Sequence, residues 1–195
     1  MKITSLKEFN AVDWSKKIEG DVEISANLGI LRPERVWCAG SLRVEAGTYI
    51  EAGWYIEAGT SIKAGWSIEA GAYIEAGESI KAGWSIKAGT YIEAGTYIEA
   101  ESRGILAGLS ISCKLILSAK MRIIAGITPW EDGSNPEMSI VTCGKLESGT
   151  VVGTLVETGL PDDDEAENPG CQHRQTGKFC SECGASLITP EGETE

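Results

Sequence analysis

A six-residue repeat dominates this chain and constrains its fold more than any other feature. From Val44 to Arg103 the sequence consists of ten consecutive hexads of the type IEAGTY or IKAGWS. An aliphatic residue opens every hexad, alanine holds the third place in all ten, and glycine holds the fourth place in nine. With slips in the frame, the repeat covers residues 22–127, and a short run returns at 140–158.

The spacing argues against a helix and predicts a stacked coil of short strands. A helix needs apolar residues three and four apart, and each glycine inside a helix costs about 1 kcal/mol. A short strand that ends at a glycine corner fits the hexad better, and coils must stack to bury their apolar faces. Hexads three apart agree most often at the variable second, fifth and sixth places, so we predict three hexads, or 18 residues, per turn.

The hexads VEAGTY, IEAGTS, IEAGAY and IEAGTY resemble those of the hexapeptide-repeat family. They share its aliphatic first place, its acid at place two and its Thr or Ala at place five. The resemblance implies an all-β fold, a left-handed single-stranded parallel β-helix (β-solenoid). In that family place five faces the narrow interior, where a tryptophan or Glu78 would not fit. Either Trp54, Trp66, Glu78 and Trp84 turn outward, or the coil is wider, or the solenoid is of another type.

The IEAG and IKAG hexads also resemble uncharacterised repeat proteins of bacteria and phages, a resemblance that implies no activity. The chain divides by composition into segments with different expected roles. These are an N-terminal cap (1–21), the solenoid (22–127), a loop and end segment (128–160), an acidic linker (161–170), a zinc-ribbon-like module (171–188) and an acidic tail (189–195).

Stacking at an 18-residue period predicts columns of identical side chains about 4.8 Å apart. The columns are Tyr55, Tyr73 and Tyr91; Glu57, Glu75 and Glu93; Lys63 and Lys81; and Trp66 and Trp84. Each has a plain interpretation, as a packed or solvated sheet face, and a functional one, as a binding surface. Exposed aromatic side chains favour the functional one. The tyrosine, glutamate and tryptophan columns are therefore the candidate binding residues.

The segment CQHRQTGKFCSECGASL has the pattern of a metal site. Cys171, His173, Cys180 and Cys183 are four ligands of the type that tetrahedral zinc prefers. We predict a structural zinc, because so short a segment has little core and metal binding would supply its folding energy. KFCSECGASL resembles the second knuckle of small bacterial zinc ribbons, whereas the first half departs from their C-x-x-C. A redox dithiol and plain thiols are the alternatives.

The other three cysteines, Cys38, Cys113 and Cys143, are scattered through the repeat region. We expect them to be small buried hydrophobic residues.

Composition limits the function. A net charge of −12 argues against direct binding of nucleic acid or an anionic membrane. The N-terminus lacks a signal pattern and no apolar stretch reaches membrane-spanning length, so we expect a cytoplasmic protein with reduced cysteines. Acyltransferases of the hexapeptide-repeat family usually employ a histidine base, but the single histidine here, His173, belongs to the zinc pattern.

These features favour a non-enzymatic solenoid module that docks a protein partner, with the zinc segment as a second, tethered docking element. One specific version is an acidic decoy that occupies the nucleic-acid-binding site of another protein. The alternative is a structural subunit that self-assembles as a trimer or end to end. An acyltransferase-like enzyme is the third hypothesis.

Overall fold

Short parallel strands make up almost all of the described structure. The computed structural model describes residues 1–45, 47–126 and 139–161. In chain order its elements are β1 (Lys2–Ile3), α1 (Leu6–Ala11), β2 (Val22–Ile24), β3 (Gly29–Leu31), β4 (Val36–Cys38), β5 (Leu42–Val44), β6 (Thr48–Ala52), β7 (Ile56–Ala58), β8 (Ile62–Ala64), β9 (Ile68–Ala70), β10 (Ile74–Ala76), β11 (Ser79–Ala82), β12 (Ile86–Ala88), β13 (Tyr91–Ala94), β14 (Tyr97–Ala100), β15 (Ile105–Ala107), β16 (Ser110–Cys113), β17 (Ile116–Ala125), β18 (Ile140–Cys143), β19 (Lys145–Val152) and β20 (Thr154–Glu157).

The strands form three faces of a coil. The first face runs β1-β2-β5-β8-β11-β14 and ends in the first half of β17 and β19. The second face runs β3-β6-β9-β12-β15 and ends in their second halves, because β17 and β19 both bend across a corner. The third face runs β4-β7-β10-β13-β16-β18-β20. Every pairing is parallel, so strands on one face belong to successive turns of the coil.

The register confirms a parallel β-solenoid with three hexads per turn. In the regular part Ile56, Ile74 and Ile92 are partners, 18 residues apart. The whole coil has about six turns. Its left-handedness stays a prediction from the family resemblance.

Places one and three of each hexad fill the interior. The isoleucines of place one, such as Ile68 and Ile86, are fully buried, and the alanines of place three, such as Ala70, are nearly so. Place five instead lies at the corners and points outward, with Trp54 62% exposed. This departs from the hexapeptide-repeat expectation and decides between the alternatives above. Two inward residues per side already fill the coil, so the bulky fifth-place residues need no interior space.

The glycines of place four are required by the stacking of corners. A Cβ on Gly77 would lie 2.1 Å from the carbonyl oxygen of Gly59, one turn away. The same contact recurs up the stack, and at Gly95 it would be 1.9 Å from the oxygen of Gly77. Any side chain at these corners would push successive turns apart.

The corner after β5 corrects the reading of the first hexad. Leu42 pairs with Ile62 and Val44 with Ala64, so Val44 holds a third place rather than a first place. The residues that follow form a longer corner before Ile50. Its Thr48 is fully buried, accepts a hydrogen bond from the Leu28 N–H at 3.0 Å and donates one to the Ala26 carbonyl at 2.7 Å.

The N-terminal end of the coil is covered. The strand β1 pairs with β2, and α1 begins at the N-cap Ser5, whose hydroxyl accepts from the Glu8 N–H. Helical spacing predicts a helix through Trp14, but α1 ends at Ala11. Phe9 is buried against the coil, and the ring of Trp14 packs on Phe9 with the centroids 4.8 Å apart. This cap leaves the first turn with a closed apolar interior.

The last described turn is open by comparison. Leu155 points inward in register with the fully buried Val141, yet it is 36% exposed. Val152 and Val156 nearby are also exposed. No described helix is long and apolar enough to cross a bilayer.

Candidate interaction surface

Stacked tyrosines line the outside of the third face. The rings of Tyr55 and Tyr73 lie 5.0 Å apart and 3° from parallel, and those of Tyr73 and Tyr91 lie 4.9 Å apart and 4° from parallel. The three residues hold the outward place just before strands β7, β10 and β13 reach their inward isoleucines. We call them the tyrosine column. It is the stack that the 18-residue period predicts.

A glutamate column stands beside the tyrosine column. Glu57, Glu75 and Glu93 are direct partners in the ladder, two residues along the strand from the tyrosines. Each tyrosine reaches the carboxylate one turn earlier through a long hydrogen bond: the Tyr73 hydroxyl donates to Glu57 at 3.5 Å, and the Tyr91 hydroxyl donates to Glu75 at 3.4 Å. We call the two columns together the Tyr–Glu face.

Crowding of like charge marks the Tyr–Glu face. Burial raises the pKa of Glu75, and the charges of Glu57 and Glu93 raise it further. Burial, then the Glu57 charge, raises the pKa of Tyr73 to about 12. Burial and the Glu75 carboxylate likewise raise the pKa of Tyr91. The face therefore combines an aromatic strip with a strip of negative potential.

Carboxylates on the other two faces have cationic partners. On the second face Lys87 contacts Glu69 at 2.5 Å and Arg32 contacts Glu51 at 3.0 Å. On the first face Lys81 contacts Glu99 at 2.9 Å. Within the residues that the structure describes, none of the three members of the glutamate column forms an ion pair. The third face is thus the one whose carboxylate charges remain available to a partner.

The predicted tryptophan pair lies at the corner between the first and second faces. The indoles of Trp66 and Trp84 are 5.2 Å apart and nearly parallel, and they are 43% and 40% exposed. Arg103 extends the stack, with its guanidinium carbon 4.6 Å from the Trp84 ring. We call these three residues the tryptophan corner. It lies away from the Tyr–Glu face, so the structure does not join the predicted binding residues into one site.

The predicted lysine column is also present, but its members differ. Lys63 and Lys81 are partners in the ladder on the first face. Lys81 is bound by Glu99 and by Glu101, the latter at 3.1 Å. These contacts raise the pKa of Lys81, chiefly through the hydrogen bond to Glu99. The column is a local ion-pair network and does not contribute to the Tyr–Glu face.

The scattered cysteines are buried, as expected. Cys38, Cys113 and Cys143 all lie inward on the third face, each 3% exposed or less. Burial raises the pKa of Cys38 to about 11 and that of Cys113 to about 12. These thiols are therefore protonated and unreactive at neutral pH.

The predicted zinc ligands, Cys171, His173, Cys180 and Cys183, lie outside the described residues. Among the described residues no group of His, Cys, Asp and Glu side chains has an arrangement that could hold a metal ion. The zinc site stays a prediction from the sequence.

Sequence reasoning missed the cations that end the aromatic columns. Val36 pairs with Ile56, which places Arg35 directly before Tyr55 in the column, with its guanidinium carbon 5.9 Å from the ring centroid. Arg103 ends the tryptophan stack in the same way. The turns that hold these arginines are longer than 18 residues, so the regular period passes over them. The register of the flanking aliphatic residues is the signal that could have revealed both.

Comparisons with known proteins supply no relative: no family model, no curated protein and no solved structure matches the chain. The function has to be inferred from the surface. A flat parallel face with aligned aromatic rings and unpaired carboxylates is suited to holding a cationic, extended partner segment.

Proposed function

We propose that this chain is a non-enzymatic docking module that binds a basic segment of a partner protein on the Tyr–Glu face. The observation that carries the proposal is the uncompensated glutamate column, since the same hexads on the other faces supply lysine or arginine partners. Aligned carboxylates repel one another slightly in the free protein. A cationic partner removes that repulsion and gains charge-assisted contacts at the same time.

The tyrosine column supports a protein partner rather than a dissolved cation. Tyrosine rings offer a large, rigid contact area at low cost in side-chain entropy and are enriched at binding hot spots. The rings alternate with the carboxylates of neighbouring turns, at the roughly 4.8 Å spacing of parallel strands. A basic surface that otherwise binds nucleic acid has the matching chemistry, which keeps the acidic-decoy version within the proposal.

The test is partner capture with two matched triple variants. The first replaces the glutamate column (Glu57→Gln, Glu75→Gln and Glu93→Gln). The control replaces three paired glutamates of the other faces (Glu51→Gln, Glu69→Gln and Glu99→Gln). Both remove three negative charges, so non-specific electrostatic attraction falls equally.

Tagged full-length protein is used to capture partners from lysate of its source cells, and the captured protein is then purified for titration. We expect the first variant to weaken binding by about tenfold or more and the control to leave it nearly unchanged. Equal weakening by both variants would overturn the Tyr–Glu face as the docking surface.

The C-terminal zinc element is the second part of the proposal, and it rests on the sequence pattern. Metal analysis of the full chain is expected to find one zinc, which Cys180→Ser with Cys183→Ser removes. The partner affinity should fall while the solenoid still melts as the wild type does. Wild-type protein without bound zinc would overturn this part.

A self-assembling structural subunit is the second candidate, and the open last turn favours it. Its inward Leu155 and the neighbouring valines expose apolar surface that a second copy could cover. Sedimentation equilibrium over a wide concentration range tests this function: a mass that rises with concentration, and that Leu155→Lys restores to the monomer value, would support assembly.

A further inference from the structure

The tyrosine column has two unlike ends. At the N-terminal end, Arg35 lies against Tyr55 and closes the stack with a guanidinium group. At the other end, the residue in register with Tyr91 is Ser110. Among the described residues the aromatic and cation–π contacts of Tyr91 stop at Tyr73, so the outer face of the Tyr91 ring has no stacking partner there.

The space over Tyr91 has the dimensions of a slot. Ser110 is followed in the ladder by Ile140, so the side chains of Tyr91 and Ile140 leave the sheet two strand spacings apart, about 10 Å. Between them stands only the short hydroxymethyl group of Ser110. A ring that stacks on Tyr73 occupies 4.9 Å of the column. The slot therefore accommodates one flat group, with Tyr91 on one side and Ile140 on the other.

The charge beside the slot is negative. Glu93 projects next to Tyr91, is exposed and has no ion-pair partner among the described residues. Its neighbour in the next turn is Ser112, whose small side chain leaves the carboxylate accessible. A flat cation in the slot would stack on the Tyr91 ring and donate hydrogen bonds to Glu93. Both contacts require one group that is planar and positively charged.

This protein already uses that chemistry at its other column ends. The guanidinium of Arg103 lies 4.6 Å from Trp84, and that of Arg35 lies 5.9 Å from Tyr55. A guanidinium is planar, weakly hydrated and able to bind a carboxylate with two parallel hydrogen bonds, whereas the ammonium of lysine is a compact, strongly hydrated point charge. We infer that the slot formed by Tyr91, Glu93, Ser110 and Ile140 receives an arginine side chain from the partner. This inference rests on the proposed function and specifies which side chain the partner presents.

The inference is tested with an arginine probe rather than with the partner. Capped arginine (N-acetyl-arginine methylamide) is titrated at low salt into full-length protein with ¹³C-labelled tyrosines, and the ring resonances are followed by NMR. The Tyr91 resonance is assigned with Tyr91→Phe, which keeps the ring. We expect a saturable shift at Tyr91 and a response about twofold or more weaker to the matching lysine derivative.

Two variants locate the effect. Tyr91→Leu, read at Tyr73, should weaken arginine binding by about two- to fivefold, as expected for the loss of an exposed cation–π contact. Ser110→Arg should place a guanidinium of the chain itself in the slot, as Arg35 does at the other end, and abolish the response to the probe. Ser118→Arg is the matched control, because Ser118 follows Glu99 on the first face and adds the same charge elsewhere.

Each outcome decides the inference. A saturable Tyr91 shift that Ser110→Arg removes and Ser118→Arg keeps supports the arginine slot. No saturable shift in the wild type overturns it, and so does a shift that Ser110→Arg leaves intact. The proposed function fails separately: the Tyr91 slot would then bind arginine although partner capture is indifferent to the glutamate column. Conversely, capture that depends on the column without an arginine response rejects the slot alone.

Discussion

The third and second faces are built from the same hexad and treat their carboxylates in opposite ways. On the second face, place two reads Glu51, Glu69 and Lys87 in successive turns, and the lysine closes on its neighbouring carboxylate. On the third face, place two is glutamate in three successive turns, and no described cation pairs with any of them. The backbone geometry is the same, so the difference lies in one side chain out of every eighteen residues.

This difference shows that column charge is set independently of the fold. Opposite charges in neighbouring strands contribute about 0.2–1 kcal/mol, and like charges cost a similar amount. A substitution at Glu75 could remove the repulsion on the third face without disturbing the buried Ile74 or Ala76. Local violations of good packing or charge pairing concentrate at functional sites. The uncompensated face is therefore the one expected to have a partner.

The largest predicted effect comes from breaking the register on which the columns depend. In Gly77→Ala the new Cβ would lie 2.1 Å from the Gly59 carbonyl oxygen, and backbone on both sides leaves it no room. Turns next to this corner must separate, which should cost about 3 kcal/mol of unfolding free energy, at the upper end of overpacking effects. Urea denaturation of the full chain measures it.

Gly53→Ala is the matched control for this substitution. Gly53 also holds place four, but the nearest atom to its added Cβ is the Glu34 carbonyl oxygen at 3.4 Å. We expect a change of less than about 0.5 kcal/mol, since ordinary contact replaces the clash. Equal destabilisation by the two variants would mean that the repeated glycine serves backbone conformation rather than the close approach of turns.

The regular part of this molecule could be predicted because its register is uniform. Matching hexads three apart gave the 18-residue turn, and from that turn the pairing of Tyr73 with Tyr91 and of Trp66 with Trp84 follows. Burial of the aliphatic first place follows from its periodicity alone. The identity of the tyrosine and glutamate neighbours needed no more information than this spacing.

The irregular corners could not be predicted in the same way. Val44 opens an apparent hexad but occupies a third place, because a strand holds two inward residues and the sequence pattern marks either equally well. The outward direction of Trp54 depends on Ala52 and Ile56 filling the interior, which is a packing result. Arg35, the cation that ends the tyrosine column, lies in a longer turn where the count of residues no longer gives the partner.

A charge swap should move the two faces in opposite directions. Glu75→Lys places a cation between Glu57 and Glu93 and makes the third face resemble the second, so we expect stabilisation of about 0.5–1 kcal/mol. Glu69→Lys places a lysine beside Lys87 and removes the acceptor of the Tyr49 hydroxyl, so we expect destabilisation of about 1 kcal/mol. Thermal unfolding at low salt checks both signs.

Salt supplies the control for this pair of variants. Both differences from the wild type should shrink as ionic strength rises, because these side chains are partly exposed and salt screens their interactions. A shift of the same sign in both variants, or shifts that ignore salt, would show that the charge pattern does not distinguish the faces.

The smallest expected effect is a difference in pH dependence between Glu75 and Glu69. Burial and its charged neighbours raise the pKa of Glu75 above 4.5, so the folded protein binds its proton more readily than the unfolded chain does. Stability linked to Glu75 therefore increases as the pH falls from 7 toward that raised pKa. Burial disfavours the charge on Glu69 too, but the hydrogen bonds from Lys87 and Tyr49 outweigh it and lower its pKa. Stability linked to Glu69 is complete above pH 4.5 and is lost only below it. Urea unfolding at pH 7 and pH 5 should thus show Glu75→Gln more stable than the wild type by less than about 1 kcal/mol, with a gap that narrows at pH 5. Glu69→Gln should be less stable than the wild type by the same amount at both values. Gaps that narrow equally in the two variants would contradict the electrostatic difference between the faces.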